Sequence, residues 1–193
     1  MKNPARKSIS DRFLAIDSQI NDLGALEFFS NRHKRLREWH VLGAMQRLLK
    51  GRSQDFPDFA EENLRPDFIT YRSDGTPWHP VEITEVLRPG DRRHDRYRQA
   101  NKGGPRVSFL PPALKRPWDG LQNQISKKAK AGYDRETCLL VYLQIWLFDL
   151  PHWSEPVHAQ LLTRHEGDPF RDIDKFSRVF VLSSGMHAMV ELT

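Results

Sequence analysis

Two acidic residues of this 193-residue chain are spaced so that their side chains could act together on one substrate. Asp67 follows Pro66 at the start of an apolar segment, and Glu82 lies inside a second one, residues 80–86. A carboxylate inside an apolar strand is costly unless it is paired or bound to a cation. Two such carboxylates repel each other, and a divalent metal ion between them removes the repulsion. Oxygen ligands without cysteine or clustered histidine favour Mg²⁺ or Mn²⁺ over Zn²⁺.

The elements that must position these acids are predicted to be two antiparallel strands. Residues 67–71 and the second apolar segment have the composition of strands, and Ser73-Asp74-Gly75-Thr76 between them is typical of a turn. Side chains alternate along a strand, so Glu82 and Thr84 share one face. Glu85 points to the opposite face, where we expect a structural role or a salt bridge.

The remaining segments predict an α/β fold with a mixed sheet, in a single domain. Helical spacing predicts a helix from about Ser10 with a kink or a break near residues 22–24, and a second helix over residues 25–50. Residues 52–66 are polar and are predicted to be mostly loop. The later elements are predicted as helices at 119–133 and 155–165, a buried central strand at 139–147, and short strands at 178–183 and 187–192.

Pro66-Asp67 and Glu82-Ile83-Thr84, in this order of elements, resemble the PD-(D/E)xK nuclease superfamily, which has the restriction-endonuclease-like fold. The family motif is Pro-Asp at the start of one strand and acid-x-Lys on the next, and Thr84 stands where the family has lysine. The resemblance covers about residues 25–147. It implies a restriction-endonuclease-like core, a mixed central sheet flanked by helices, with an N-terminal helical region over residues 1–50 of a single 1–193 domain.

The resemblance also implies a metal-dependent nuclease that hydrolyses phosphodiester bonds, with Asp67 and Glu82 as ligands of Mg²⁺ or Mn²⁺. Threonine cannot orient water or stabilise phosphate charge as lysine does, so a substitute is needed. On the helix predicted at 119–133, Lys128 falls about 20° from Leu121, inside the apolar stripe, while Lys130 faces solvent. Some members of the superfamily resemble this arrangement, with the lysine on the following helix. The predicted catalytic set is therefore Asp67, Glu82 and Lys128, unless Lys128 extends its ammonium to water.

The second predicted helix adds a further acid. Glu38 falls within the apolar stripe formed by Leu42, Met45 and Leu49, and a glutamate that faces a core needs a partner. It matches the helix acid of the family and is predicted as a third metal ligand. The alternative is a glutamate at the edge of the stripe, paired with a nearby arginine.

The positive charge of the chain is concentrated in one segment. Residues 88–130 hold twelve basic and three acidic residues, a net charge of +9, while the whole chain carries +5. Much of this charge lies in a predicted loop over residues 88–118, and long irregular loops in compact domains are usually functional or disordered. This distribution predicts nucleic acid or another phosphate-bearing partner. With the family resemblance, DNA is the favoured partner. The residues predicted to contact it are Arg92, Arg93, Arg96 and Lys127. The alternative is a solvated arginine cluster.

Other features restrict the setting of the protein. There is one cysteine, Cys138, and no apolar run long enough to span a bilayer, so we expect a cytoplasmic protein without membrane association. A homodimer is one expected assembly, because nucleases that cut both strands are often dimers. The rival hypothesis is a catalytically inactive nuclease-like domain that binds nucleic acid or a protein partner. A third is a structural protein with buried ion pairs. Convergence of Lys128 with the two acids favours catalysis over these.

Overall fold

A computed structural model describes residues 6–28, 33–86, 118–143, 155–183 and 188–192. The helices in these ranges are α1 (Ile9–Phe28), α2 (Lys34–Gly51), α3 (Asp119–Lys130) and α4 (Glu155–Gly167), with a 3₁₀ helix at Ile173–Lys175. The strands are β1 (Lys7–Ser8), β2 (Phe59–Glu62), β3 (Phe68–Tyr71), β4 (Val81–Val86), β5 (Cys138–Leu143), β6 (Arg178–Leu182) and β7 (Met189–Leu192). Within these ranges, no helix combines the length and the apolar character needed to cross a membrane.

The seven strands form one mixed sheet in which the spatial order follows the chain order. The first three pairs, β1 with β2, β2 with β3 and β3 with β4, are antiparallel. The pairs of β4 with β5 and of β5 with β6 are parallel, and β7 is antiparallel to β6. Parallel neighbours require a crossover connection, and α3 and α4 lie in the chain between the parallel pairs. The predicted α/β fold with a mixed sheet is confirmed, as is the turn at 73–76, where Gly75 has a φ of +82°.

Apolar clusters cover both faces of the sheet. All six residues of β5 are buried, and alternate side chains enter different clusters. Cys138, Leu140 and Tyr142 join the cluster that contains α1 and α2, whereas Leu139 and Val141 join the cluster that contains α3 and α4. This confirms the prediction that the strand is buried and central, as far as Leu143. Residues 144–147 of the predicted strand lie outside the described residues.

One prediction about the N-terminal third is wrong, and a second is incomplete. α1 continues through residues 22–24 to Phe28, and α2 begins only at Lys34, so no single helix covers residues 25–50. A glycine inside a helix costs only about 1 kcal/mol, which the rest of α1 tolerates. Residues 52–66 are mostly loop, as predicted, but they also contain the short strand β2, which pairs with both β1 and β3. Of the four residues of β2, only Ala60 is buried, so the strand lacks the apolar alternation that would have indicated it.

The contact between α1 and α2 depends on Gly43. A Cβ at this position would lie 2.5 Å from Cδ2 and 2.6 Å from Cβ of Phe13, and the latter atom cannot rotate away from the backbone. Gly43→Ala is expected to lower the free energy of unfolding by about 1–3 kcal/mol, although alanine is the better helix former. Urea unfolding followed by circular dichroism measures this. Gly51→Ala is the control, because no atom lies within 4 Å of its added Cβ. An unchanged midpoint for Gly43→Ala would contradict the close contact.

Candidate active site

The point at which β3 and β4 separate brings Asp67 and Glu82 together. The ladder between the two strands has a single register pair, Phe68 with Val81. One residue further on, Oδ2 of Asp67 accepts a hydrogen bond of 2.9 Å from the backbone N–H of Ile83. The side chain thereby replaces the missing backbone acceptor and fixes the carboxylate beside Glu82. Both acids are buried, with Asp67 6% and Glu82 4% exposed.

Lys128 reaches these acids from α3. Its Nζ donates a hydrogen bond to Oε1 of Glu82 and forms an ion pair with it. The Lys128 side chain is 21% exposed, whereas Lys130 is an exposed residue of the same helix. The prediction that Lys128 faces the sheet and Lys130 faces solvent is confirmed, so Lys128 does not extend its ammonium away from the acids.

Glu38 is buried at the other side of Asp67 and is held by cations of its own helix. Nζ of Lys34 lies 2.8 Å from its Oε1, and Nη1 of Arg35 lies 3.0 Å from its Oε2. The same two nitrogens lie 4.0 Å and 3.8 Å from Oδ1 of Asp67. The alternative interpretation, in which Glu38 pairs with a nearby arginine, is thus correct for Arg35. This pair lies beside Asp67, because the same guanidinium is 3.8 Å from the Asp67 carboxylate.

The environment of Asp67 disfavours its charge. Burial, followed by the neighbouring carboxylates of Glu38 and Glu82, raises the pKa of Asp67 to about 6. The hydrogen bond from Ile83 and the ammonium of Lys34 act in the opposite direction but do not compensate. The charged form of Asp67 is therefore disfavoured even though Lys34 and Arg35 lie within 4.0 Å of its carboxylate.

The position of the family lysine is occupied by a neutral contact. Thr84 is 8% exposed, and its Oγ1 lies 3.4 Å from Oε1 of Gln124 on α3. Burial, together with the interaction of its hydroxyl with the Glu82 carboxylate, raises the pKa of Tyr133 to about 12, so the hydroxyl stays protonated.

Sequence reasoning did not name Lys34, Arg35 or Tyr133 as neighbours of the acids. Lys34 and Arg35 left a signal, since they stand four and three residues before Glu38 on a predicted helix, where opposite charges meet. Tyr133 comes from a segment that is distant in the chain and shows no local pattern.

The remaining predicted residues are placed as follows. Glu85 lies on the face opposite Glu82 and pairs with Arg37, which confirms the predicted salt bridge. Lys127 is exposed on α3. Arg92, Arg93 and Arg96, with nearly all of the predicted loop 88–118, lie outside the described residues.

The acids do not form a ready-made metal centre. In the part of the chain that the structure describes, no three His, Cys, Asp or Glu side chains are arranged so that they could hold a metal ion. The acids instead face the cations of α2 and α3. Metal binding by Asp67, Glu82 and Glu38 stays a prediction.

Comparisons of the chain with protein-family models, with curated proteins and with solved structures found no match in any of the three. The function is therefore inferred from the residues of the site itself.

Proposed function

We propose that this protein is a metal-dependent nuclease that hydrolyses phosphodiester bonds of nucleic acid, with DNA as the favoured substrate. The observation that carries the proposal is the convergence of Asp67, Glu82 and Lys128. Asp67 immediately precedes β3, whereas Glu82 lies on β4 and Lys128 on α3. The order α2, β2, β3, β4, α3, β5, with β4 parallel to β5, supports a restriction-endonuclease-like core. A cytoplasmic location and a homodimer, with one site for each strand of a duplex, suit this substrate.

The proposed ligands are chemically suited to a hard divalent cation, because carboxylate oxygens are the ligands that Mg²⁺ and Mn²⁺ prefer. Asp67 and Glu82 would hold the ion, with Glu38 as the third acid. When bound, such an ion stabilises charge on a phosphate and makes a water more acidic.

Lys128 supplies the positive charge that the neutral side chain of Thr84 cannot supply. Lys128 is fixed by Glu82 and places an ammonium at the acids, where it stabilises the charge that develops on the phosphate. Because the Glu82 carboxylate accepts a hydrogen bond from Lys128, it is paired with that ammonium before substrate arrives.

A second candidate function follows from the contact between Thr84 and Gln124. Because this contact is neutral, the site lacks the charge that the family lysine brings on this strand. A catalytically inactive domain that only binds nucleic acid or a protein partner would have the same feature. Salt-dependent DNA binding without cleavage would favour this second function.

The decisive experiment is a cleavage assay on supercoiled plasmid, single-stranded DNA and RNA. Each substrate is incubated with Mg²⁺, with Mn²⁺ or with EDTA, beside the Asp67→Ala and Glu82→Ala variants. Metal-dependent cleavage that both variants lose is the expected result. Cleavage that persists in EDTA, or in both variants, would reject this site.

Lys128→Met tests the proposed substitute for the family lysine. We expect metal-dependent cleavage to fall by about 10²–10³-fold, as when one preorganised donor to a developing charge is removed. Initial rates of plasmid nicking measure this. The matched control is Lys130→Met, two residues along α3 and exposed, which should retain the rate of the parent. Circular dichroism of both variants separates lost activity from lost folding. Equal rates for the two variants would remove Lys128 from the catalytic set.

A further inference from the structure

We propose that Arg65 binds a phosphate of the nucleic-acid backbone beside the reacting one, as a substrate-positioning residue. The inference rests on the proposed function and adds to it a contact on the described part of the chain. Arg65 lies in the loop between β2 and β3, immediately before Pro66-Asp67.

The loop that carries Arg65 is held in a defined shape. The backbone N–H of Asn63 donates to the carbonyl of Asp67 at 2.9 Å, and its side-chain amide donates to the carbonyl of Arg65 at 3.2 Å. Arg35 of α2 donates to the carbonyls of Asn63 and Asp67, at 3.1 Å and 3.2 Å. At the tip, Leu64 is 95% exposed, so the loop projects into solvent. A loop already ordered in the free protein loses little conformational entropy on binding.

The guanidinium of Arg65 lies over the ring of Tyr133. Its Cζ is 4.7 Å from the centroid of the Tyr133 ring, a distance at which cation and ring attract each other. Nζ of Lys128, which pairs with Glu82, lies 5.8 Å from the centroid of the same ring. Tyr133 therefore connects an exposed cation to the site in which the phosphodiester bond would be cleaved.

Arg65 differs from Arg35 in that no described residue offers it an acidic partner, whereas Arg35 pairs with Glu38. Among the described residues, no carboxylate oxygen lies within 4.0 Å of the guanidinium nitrogens of Arg65. A guanidinium presents five N–H donors in a geometry that matches phosphate. An exposed guanidinium without a carboxylate partner, fixed next to a catalytic centre, suits a backbone phosphate.

The test measures binding without turnover. Affinity for a short fluorescein-labelled DNA duplex is determined by anisotropy over a series of salt concentrations, in the full-length Asp67→Asn background. Arg65→Gln is expected to weaken binding by about tenfold and to reduce the slope of log K against log salt by about one, as for the loss of one phosphate contact. The matched control is Arg47→Gln, because Arg47 is also exposed and lies over a ring, with Cζ 5.1 Å from the centroid of Phe13.

A second pair of variants tests the role of the ring. Tyr133→Leu is expected to weaken DNA binding as Arg65→Gln does, and the double variant is expected to be no weaker than either single one. Additive losses would show that the ring does not position Arg65.

The outcomes separate this inference from the proposed function. Equal slopes for Arg65→Gln and Arg47→Gln would overturn the role of Arg65, even if the wild type cleaves DNA. A reduced slope only for Arg65→Gln would support it, even if the wild type shows no cleavage and the catalytic proposal fails. A background protein with no salt-dependent DNA binding would overturn it as well.

Discussion

Asp67→Asn is expected to stabilise the metal-free protein near neutral pH and to reduce metal-dependent cleavage by about 10³-fold or more. The variant loses a charged oxygen that the metal needs, which accounts for the lost activity. It keeps an oxygen that can accept the N–H of Ile83, so the local backbone geometry is preserved. The gain in stability comes from removing a buried charge that lies between Glu38 and Glu82.

The direction of the stability change for Asp67→Asn follows from the pH at which the Asp67 carboxyl ionises. The pKa of Asp67 is about 6 in the folded protein, above its ordinary value. A group of this kind contributes stability below its unfolded pKa and loses that contribution as the pH rises through the folded pKa. Wild-type stability in EDTA should therefore fall between about pH 4 and pH 6, by an amount on the order of 2 kcal/mol. Asp67→Asn should not show this fall.

Urea unfolding in EDTA across this range, paired with plasmid cleavage in Mg²⁺, measures both effects. Asp74→Asn is the matched control, because the hydrogen bonds that Asp74 accepts from Thr76 lower its pKa. That variant should gain no stability and keep its activity. If Asp67→Asn instead lost stability at every pH, Asp67 would be a structural partner of Lys34 and Arg35. The hypothesis of a structural protein with buried ion pairs would then be preferred.

The face of a strand or helix on which a side chain lies is predictable from the sequence, and the prediction of Glu82 and Lys128 as site residues depends on it. Alternation along β4 placed Glu82 and Glu85 on opposite sides, and helical periodicity placed Lys128 towards the sheet. Each of these inferences needs only a local repeat. The contacts of Glu82 with Lys128 and of Glu85 with Arg37 agree with them.

The features that escaped prediction depend on tertiary contacts. β2 forms although its residues lack apolar alternation, because it pairs on both sides with other strands. Tyr133 follows α3 and Arg65 precedes β3, and nothing local to either residue indicates that they meet. A sequence without aligned relatives therefore gives the acids of the site more readily than the residues that surround them.

The second large effect is expected on the opposite face of the sheet, at Arg37. Arg37 is 1% exposed, and its Nε lies 3.3 Å from Oε1 of Glu85. Replacing Arg37 by methionine leaves the carboxylate of Glu85 without this cation in an apolar layer. Loss of one partner of a buried pair costs about 3–5 kcal/mol. Urea denaturation should show a reduction of this size for Arg37→Met.

The matched control for Arg37→Met is an ion pair that is shorter and more exposed than the pair of Arg37 and Glu85. Nη2 of Arg72 lies 2.8 Å from Oδ2 of Asp55, with side chains 39% and 52% exposed. Arg72→Met should cost no more than about 1 kcal/mol, because water screens exposed pairs. The double variant Arg37→Met/Glu85→Leu should recover most of the loss, since both charges of the pair are then removed together. If it recovered nothing, the cost would arise from the packing of the Arg37 stem, and the charge of Glu85 would not be the cause.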